Sequence, residues 1–202
     1  MSLQNRVLPT GAIVNSDERG LFMGNRGILH DDTQRLGTAR WRHSNWVCCR
    51  LSFNGRKRTV MTAGAYTELF FLDEAVALAA GHRPCAECRR ADYRAYLDAW
   101  QIATGEKPDA KRLDRALHQS RVTGRMQRRY NAPAAGLPDG TFILLDNAPH
   151  LILRDMVLPY APGAYLAPRP RPGGTVTVLT PAPSVAALAA GYCPQVHPSA
   201  ST

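Results

Sequence analysis

The sequence predicts an α+β fold of antiparallel β-hairpins with short helices, in two related halves that a basic helical segment joins. Three observations lead to this prediction. Two turn signals, Asn54-Gly55 and Asp146-Asn147, each lie between β-prone runs, a pattern typical of hairpins. Short alanine-rich segments end at glycines, and a longer stretch in the middle of the chain has helical periodicity. With 202 residues, 45% of them hydrophobic, the chain can bury a core of ordinary size.

The first half of the chain begins with strands or loops. Glycines punctuate residues 1–40, which favours short strands or an ordered loop over a helix. Two β-prone runs then flank "FNGRKR", and Asn54-Gly55 predicts a hairpin between them. Asp73 is placed as the N-cap of a short helix that Gly81 ends.

Two longer helices are predicted next. "RRADYRAYLDAWQIATG" has apolar residues at 93, 96, 97 and 100, which indicates a helix that ends at Gly105. "PDAKRLDRALHQSRVTGRMQRRY" predicts a helix that continues through Gly124. Residues 107–131 contain eight Lys and Arg residues and two Asp residues, so this helix is strongly basic.

The C-terminal part resembles the first half locally. A linker (132–140), a hairpin around Asp146-Asn147, a proline-rich connector and a strand are predicted in turn. When Gly191 is aligned on Gly81, "SVAALAAGYCP" (184–194) matches "EAVALAAGHRP" (74–84). The shared order of elements favours an internal duplication over chance similarity of alanine-rich helices. The second copy lacks the cysteine pair of the first.

Charge and composition restrict the partners. The chain has 25 Lys and Arg against 16 Asp and Glu, a net charge of +9. This balance favours an acidic partner, nucleic acid first and an anionic membrane surface second. No run approaches the roughly 18 apolar residues of a membrane span, and no signal-peptide pattern is present, so we expect a cytoplasmic protein. In that compartment, five cysteines indicate metal binding or free thiols rather than disulfides.

Cys85 and Cys88 form a Cys-x-x-Cys motif directly after the first predicted helix. A tight turn with this spacing holds two thiolates on one side, as tetrahedral Zn²⁺ requires. A redox dithiol is the alternative, but it needs a strand before the motif and a helix beginning at it. Because a helix precedes the motif, metal binding is favoured.

The stretch "FFLDEAVALAAGHRPCAECRR" (70–90) resembles the second half of the metal-binding domain of the Ada methylphosphotriester DNA repair protein and its relatives. The likeness is close over about twenty residues and looser over residues 41–90. It implies that Cys85 and Cys88 are zinc ligands and that nearby basic residues contact the DNA backbone. The nucleic acid that this resemblance implies is DNA, whereas the residues alone leave DNA and RNA as alternatives.

The other ligands depart from the Ada pattern, which has a Cys-x-x-x-Cys pair upstream. Here Cys48 and Cys49 are adjacent, and neighbours on a strand point to opposite faces. We therefore expect Cys49 as the third ligand and Cys48 as the alternate. The fourth ligand is a histidine or a water, and His43, His82 and His30 are the candidates. A closed site would be structural, and an open one could activate water for hydrolysis. In the Ada relatives a zinc-bound thiolate attacks the methyl group of a phosphotriester, so the resemblance also suggests Cys48 or Cys49 as a methyl acceptor.

Nucleic-acid contacts are expected mainly from arginines. Positions 114, 118, 121, 125 and 129 lie on one stripe of the predicted basic helix. Three of these positions are arginines, whose spacing would match that of nucleic-acid phosphates. The alternative is that they form a basic helix face that contacts only solvent. His118 beside Asp114 is a candidate general base. The candidate nucleic-acid contacts are Arg56, Lys57, Arg58, Arg83, Arg89, Arg90, Arg121, Arg125 and Arg129.

These observations divide the chain into four segments: a glycine-rich segment (1–40), an Ada-like zinc-binding region (41–105), a basic helical segment (106–131) and a C-terminal α+β region with the degenerate repeat (132–202). The expected function is a zinc-binding, Ada-like protein that binds DNA in repair or damage response. The alternatives are a metal-dependent enzyme of the nuclease or hydrolase type and a zinc-stabilised interaction module.

Overall fold

The computed structural model describes residues 2–56, 59–107 and 109–201, which form two large β-sheets, a two-stranded hairpin and four α-helices. The predicted α+β class is confirmed. The first sheet contains β1 (Gln4–Val7), β2 (Ile13–Asn15), β3 (Phe22–Asn25), β4 (Val47–Arg50), β5 (Leu69–Phe71) and β6 (Arg83–Pro84). Their order is β2-β1-β5-β3-β4-β6. The β1–β5 and β4–β6 pairs are parallel, and the other pairs are antiparallel.

A small hairpin and a second, antiparallel sheet follow. The hairpin consists of β7 (Val122–Thr123) and β8 (Met126–Gln127). The second sheet contains β9 (Tyr130–Pro133), β10 (Phe142–Leu145), β11 (Ala148–Leu153), β12 (Met156–Ala161), β13 (Ala164–Tyr165), β14 (Arg169–Pro170) and β15 (Thr175–Val178). Its order is β13-β12-β11-β10-β15-β9, and β14 pairs with β12.

The α-helices are α1 (Glu74–Ala79), α2 (Arg90–Thr104), α3 (Ala110–Arg121) and α4 (Ala182–Ala189). Short 3₁₀ turns lie at Ala134–Gly136 and Pro198–Ala200. All six residues of α1 are buried, and its alanines and Val76 belong to a core that includes side chains from both sheets. A second cluster packs α2, α3 and α4 together. Within the described residues, no helix is both long and apolar enough to cross a membrane.

The predicted ends of α1 and α2 agree with the structure. The Asp73 carboxylate accepts the Val76 N–H at the start of α1, and Gly105, with φ of 70°, ends α2. Gly81 follows α1 with φ of 86°. A Cβ at this position would lie 2.5 Å from Cδ of Arg121. Gly81 is therefore required both by its backbone conformation and by the close approach of a side chain.

One predicted hairpin forms and the other does not. Asp146 and Asn147, with φ of 51° and 60°, join the paired strands β10 and β11. Asn54 and Gly55 also form a turn with positive φ. However, β4 pairs with β3 and β6, and β5 pairs with β1 and β3. The prediction of a hairpin there is wrong, because a local turn does not determine which strands its flanking residues join.

The predicted basic helix is too long. Helix α3 ends at Arg121, and Gly124, with φ of 58°, lies in the turn between β7 and β8. Two β-branched residues and a glycine directly after the helix oppose its continuation. Arg125 and Arg129 therefore do not share a helical stripe with Arg121.

Helices α1 and α4 end in the same way. After each helix, a glycine with positive φ (Gly81, 86°; Gly191, 99°) is followed by an aromatic residue. The His82 N–H bonds to the Ala77 carbonyl at 2.9 Å, and the Tyr192 N–H bonds to the Ala187 carbonyl at 3.0 Å. These are the 6→1 bonds of a Schellman cap. The duplication itself and the four segment boundaries stay predictions.

Candidate metal centre

Three cysteine sulfurs meet beside strand β4, on the face that points away from the main core. The Sγ atoms of Cys49, Cys85 and Cys88 all lie within 4.8 Å of one another. Tetrahedral zinc, with Zn–S bonds of about 2.3 Å, separates its sulfur ligands by about 3.8 Å, so this spacing fits one ion. Cys49 and Cys85 are half-buried, and Cys88 is buried. The three thiols can therefore hold a metal ion.

The parallel pairing of β4 with β6 brings these sulfurs together. Cys48 lies opposite Pro84, and the Cys85 N–H donates to the Cys48 carbonyl at 2.9 Å. The chain then turns, and the Arg89 N–H donates to the Cys85 carbonyl at 3.1 Å just before α2 begins. We call residues 85–89 the knuckle. A short strand does precede the motif and a helix follows it, as in a redox dithiol, but the third thiol favours a metal site.

Protons are shared unequally among the three thiols. The hydrogen bonds that Cys85 accepts from Cys49 and Cys88 lower the pKa of Cys85. The bonds that Cys49 donates to the other two sulfurs raise its pKa, and burial adds to the rise. The bond that Cys88 accepts from Cys49 acts to lower its pKa, but its bond to Cys85 and burial outweigh that effect. A metal ion would therefore have to displace the protons of Cys49 and Cys88.

Cys48, the alternate ligand in the sequence prediction, is not part of this group. Successive side chains of a strand alternate between faces, so Cys48 points into the main core and is fully buried. Its sulfur accepts a hydrogen bond from Nη1 of Arg89 at 3.4 Å. Burial raises the pKa of Cys48, and the nearby charge of Glu74 raises it further.

The predicted histidine ligands also lie elsewhere. Nε2 of His43 bonds to Oδ1 of Asn25 at 3.2 Å. His82 is fully buried and accepts from Nε of Arg26 at 3.3 Å, and His30 bonds to a threonine hydroxyl. Among the described residues, no His, Asp or Glu joins the three cysteines. The expectation of His43 as a ligand is wrong, because the loop that carries it packs against a different cluster.

Two arginines that flank the knuckle cysteines are buried and paired, so they are not available to phosphates. Arg83 binds both oxygens of Asp114 through Nε and Nη2, each at 2.8 Å. Arg89 donates to Glu74 and to Asp92, also at 2.8 Å. Their prediction as nucleic-acid contacts is wrong. Instead, they attach the knuckle to α3, α1 and α2.

Arg121 is a third buried arginine, and His118 is bound to it. Arg121 donates to the carbonyls of Gly81 and Ser44 and to Nδ1 of His118 at 2.9 Å. Burial lowers the pKa of His118, and the charge of Arg121 lowers it further. Since Asp114 is bound to a different arginine, no carboxylate in the described part of the chain is bonded to His118. The structure contradicts both the phosphate contact at Arg121 and the carboxylate-assisted base.

The remaining predicted contacts are accessible or lie outside the described residues. Arg90, Arg125 and Arg129 are exposed. Arg56 is exposed as well and forms a surface ion pair of 2.7 Å with Glu87 in the knuckle. Lys57 and Arg58 lie outside the described residues.

Two buried clusters of polar and charged side chains were not predicted from the sequence. Glu74 is fully buried and binds Arg89 and the Tyr192 hydroxyl. A single acid in the otherwise apolar helix "EAVALA" was the available signal, since a buried charge requires partners. The second cluster surrounds Trp46, whose indole contacts the guanidinium groups of Arg26 and Arg121. No local pattern indicated that these three residues, far apart in sequence, would meet.

Comparisons with known proteins add no identification. No family model matches the chain, and no curated protein or solved structure is significantly similar to it. The functional interpretation therefore depends on the residues and their geometry.

Proposed function

We propose that this protein is a zinc-binding, Ada-like protein that binds DNA, in repair or in the response to damage. The observation that carries the proposal is the meeting of the Cys49, Cys85 and Cys88 sulfurs within 4.8 Å. Thiolate ligands are typical of zinc and are not used for magnesium or calcium. Zinc bound there would keep the sulfurs deprotonated.

Backbone donors around the sulfurs support a site for charged thiolates. The N–H groups of Glu87 and Cys88 are directed at the Cys85 sulfur, and the N–H of Arg50 at the Cys88 sulfur. Hydrogen bonds of this kind stabilise the thiolate form. The knuckle and the end of β4 therefore supply both the sulfurs and the dipoles that such a site needs.

The DNA part of the proposal is supported by charge. Arg50 follows the ligand Cys49, Arg90 lies two residues after Cys88, and both are exposed. The chain has a net charge of +9, and exposed arginines bind phosphates with strong salt dependence. The resemblance of residues 70–90 to the Ada domain adds the expectation of DNA repair.

A metal-dependent enzyme that acts on nucleic acid is the second candidate. It is favoured by the lack of a fourth protein ligand among the described His, Cys, Asp and Glu residues. An open position is characteristic of catalytic rather than structural zinc. This candidate predicts product formation from a labelled oligonucleotide that a chelator abolishes. The Ada-like binding function predicts intact oligonucleotide.

Metal content tests the first part of the proposal. Wild-type protein is expected to contain about one zinc per chain. The Cys49→Ser and Cys85→Ser variants should lose it, whereas Cys48→Ser, which alters the other face of β4, should retain it. Cys193→Ser, at an exposed cysteine, controls for thiol loss. Metal-free wild-type protein after incubation with zinc, or metal loss in Cys48→Ser alone, would contradict the site.

DNA binding is tested separately by fluorescence anisotropy over a range of salt concentrations. Each phosphate contact contributes a slope of about −0.9 in log K against log [salt] for duplex DNA. Arg50→Gln and Arg90→Gln should weaken binding and make the slope shallower. Arg154→Gln, at an exposed position between β11 and β12, is the charge-matched control. Zinc binding without any DNA binding would instead support the alternative of a zinc-stabilised interaction module.

A further inference from the structure

A cleft lies on the same face of the first sheet as the sulfurs of the metal centre. Its volume is about 270 Å³, and its wall includes Arg6 and Phe70. The strand registers join it to the metal centre in one row across β1, β5, β3 and β4, which consists of Arg6, Phe70, Met23 and Cys49. Residues opposite one another in paired strands point to the same face, and these four are half-buried. The cleft and the metal centre therefore open on one surface.

Two cationic side chains line the cleft, against one carboxylate. Arg6 and Arg19 both lie in its wall together with Asp17. Burial lowers the pKa of Arg6, and the charge of Arg19 lowers it further, whereas Asp17 opposes the fall. The two guanidinium groups are therefore close enough to repel each other. Arg19 is exposed, and it forms no hydrogen bond or ion pair with any described residue. An anion would balance the excess positive charge through charge-assisted hydrogen bonds.

Two hydrogen-bond donors in the wall of the cleft have no acceptor in the described part of the chain. The register of β1 shifts between Gln4 and Arg6, and this irregularity lets two consecutive side chains meet. Nη1 of Arg6 donates to Oδ1 of Asn5 at 2.7 Å, and Nε donates to the Glu18 carbonyl. Nη2 of Arg6 and Nδ2 of Asn5 remain unpaired, although Asn5 is only 3% exposed. A nearly buried amide without an acceptor indicates a water or a ligand.

The rest of the wall is largely apolar. Leu51, which is 52% exposed, lines the cleft together with Val60 and Leu3. The ring of Phe70 supports Arg6, whose guanidinium carbon lies 4.7 Å from the ring centre. Apolar walls with a few placed polar groups are typical of sites for small organic ligands. The ligand needs an anionic group for the arginines and an apolar surface for the leucines and the valine. A nucleotide has both, since bases stack on apolar side chains and on guanidinium groups.

We propose that the cleft binds one unpaired nucleotide of a DNA strand, a specificity that rests on the proposed DNA-binding function. Arg6 and Arg19 bind the phosphate, and the base packs against Leu51 and Val60. The Asn5 amide supplies a further hydrogen bond. A cleft at the lower end of the size range of ligand pockets has room for one nucleotide and not for a base-paired helix. The ligand is therefore single-stranded DNA, or a duplex from which a damaged or mismatched base is easily extruded.

The row of side chains between the cleft and Cys49 indicates the path of the strand. Three strand-to-strand steps separate β1 from β4, so the cleft and the metal centre are about 14 Å apart. Consecutive phosphates of one strand are about 3.4 Å apart along the axis of B-form DNA, so about four nucleotides span this distance. A strand that is bound in the cleft can therefore reach the sulfurs and the exposed side chain of Arg50.

Fluorescence anisotropy at constant salt tests this specificity. The probes are a short labelled oligonucleotide as a single strand and the same sequence as a blunt duplex. Wild-type protein should bind the single strand at least about tenfold more tightly, because a duplex must first unpair a nucleotide. Equal affinity for the two forms, or tighter binding of the duplex, would overturn the proposal.

Variants at exposed positions of the cleft test its two parts without disturbing the core. Arg19→Gln should weaken binding of the single strand about tenfold, since one charge-assisted contact is lost. Arg154→Gln, at an exposed position outside the cleft, should leave the affinity unchanged. Leu51→Asn should weaken binding about fivefold through the loss of apolar contact with the base. Leu166→Asn, at a leucine after β13 that is 54% exposed, is its matched control.

The variants also separate this inference from the proposed function on which it rests. If the wild type binds DNA and neither Arg19→Gln nor Leu51→Asn weakens binding, the cleft is not the nucleotide site, while the proposed function stands. If the wild type binds neither form of DNA, the proposed DNA binding is refuted and the cleft with it.

Discussion

Replacement of Glu74 by glutamine tests the buried ion pair behind the knuckle. Oε2 of Glu74 accepts from Nη2 of Arg89 at 2.8 Å and from the Gln195 N–H at 2.9 Å, and Oε1 accepts from the Tyr192 hydroxyl at 2.6 Å. Both charged side chains are only 1% exposed. Glu74→Gln keeps the shape of the side chain but removes its charge. Of the described carboxylates, only Asp92, whose side chain is 27% exposed, then still pairs with Arg89.

The expected loss follows from the cost of leaving a buried charge unpaired. Breaking a buried pair by removing one partner costs about 3–5 kcal/mol. Because Asp92 still neutralises part of the Arg89 charge, we expect the lower limit, about 3 kcal/mol. For a chain of this size, 1 kcal/mol lowers Tm by about 2–4 °C, so Tm should fall by about 6–12 °C.

Urea unfolding followed by circular dichroism measures this loss as a lower midpoint at unchanged slope. Asp92→Asn is the matched control, since it removes the more exposed partner of the same arginine and should cost about 1 kcal/mol. A change of less than about 0.5 kcal/mol for Glu74→Gln would refute the reasoning. It would mean that water or a rearranged tail compensates for the lost carboxylate.

Three further predictions concern the metal centre and the helices. The pKa values of Cys49 and Cys88 are raised, and that of Cys85 is lowered. Zinc binding should therefore release about two protons, so that zinc affinity falls about 100-fold for each unit fall in pH near neutrality. Competition with a chromogenic chelator measures this affinity, and an affinity that does not change with pH would contradict the prediction. Gly81→Ala should lower the free energy of unfolding by about 2 kcal/mol or more, because φ is 86° and the new Cβ would lie 2.5 Å from Cδ of Arg121. An unchanged midpoint of urea unfolding would contradict this prediction. Tyr96→Phe removes a buried hydrogen bond of 2.8 Å between the hydroxyls of Tyr96 in α2 and Ser184 in α4. It should lower the free energy of unfolding by about 1–2 kcal/mol, which thermal unfolding can detect. Equal stability of the variant and the wild type would show that the hydroxyl is dispensable.

The sequence by itself determined the features that depend on a few neighbouring residues. The Asp73 cap, the glycine after α1 and the Asp146-Asn147 turn are short-range devices, whose geometry follows from local backbone sterics and hydrogen bonds. Strand alternation also implied that only one of Cys48 and Cys49 could join the knuckle cysteines, because adjacent side chains must face opposite ways.

Only the tertiary structure decided which residues would be buried and which strands would pair. Arg83, Arg89 and Arg121 looked like surface charges, but each binds a partner that is distant in sequence: Asp114 is 31 residues from Arg83, Glu74 is 15 from Arg89, and Ser44 is 77 from Arg121. The pairing of β4 with β6, which brings Cys49 to the knuckle, likewise joins segments more than 30 residues apart. Local propensity carries no information about such contacts, because they depend on the packing of whole sheets and helices against one another.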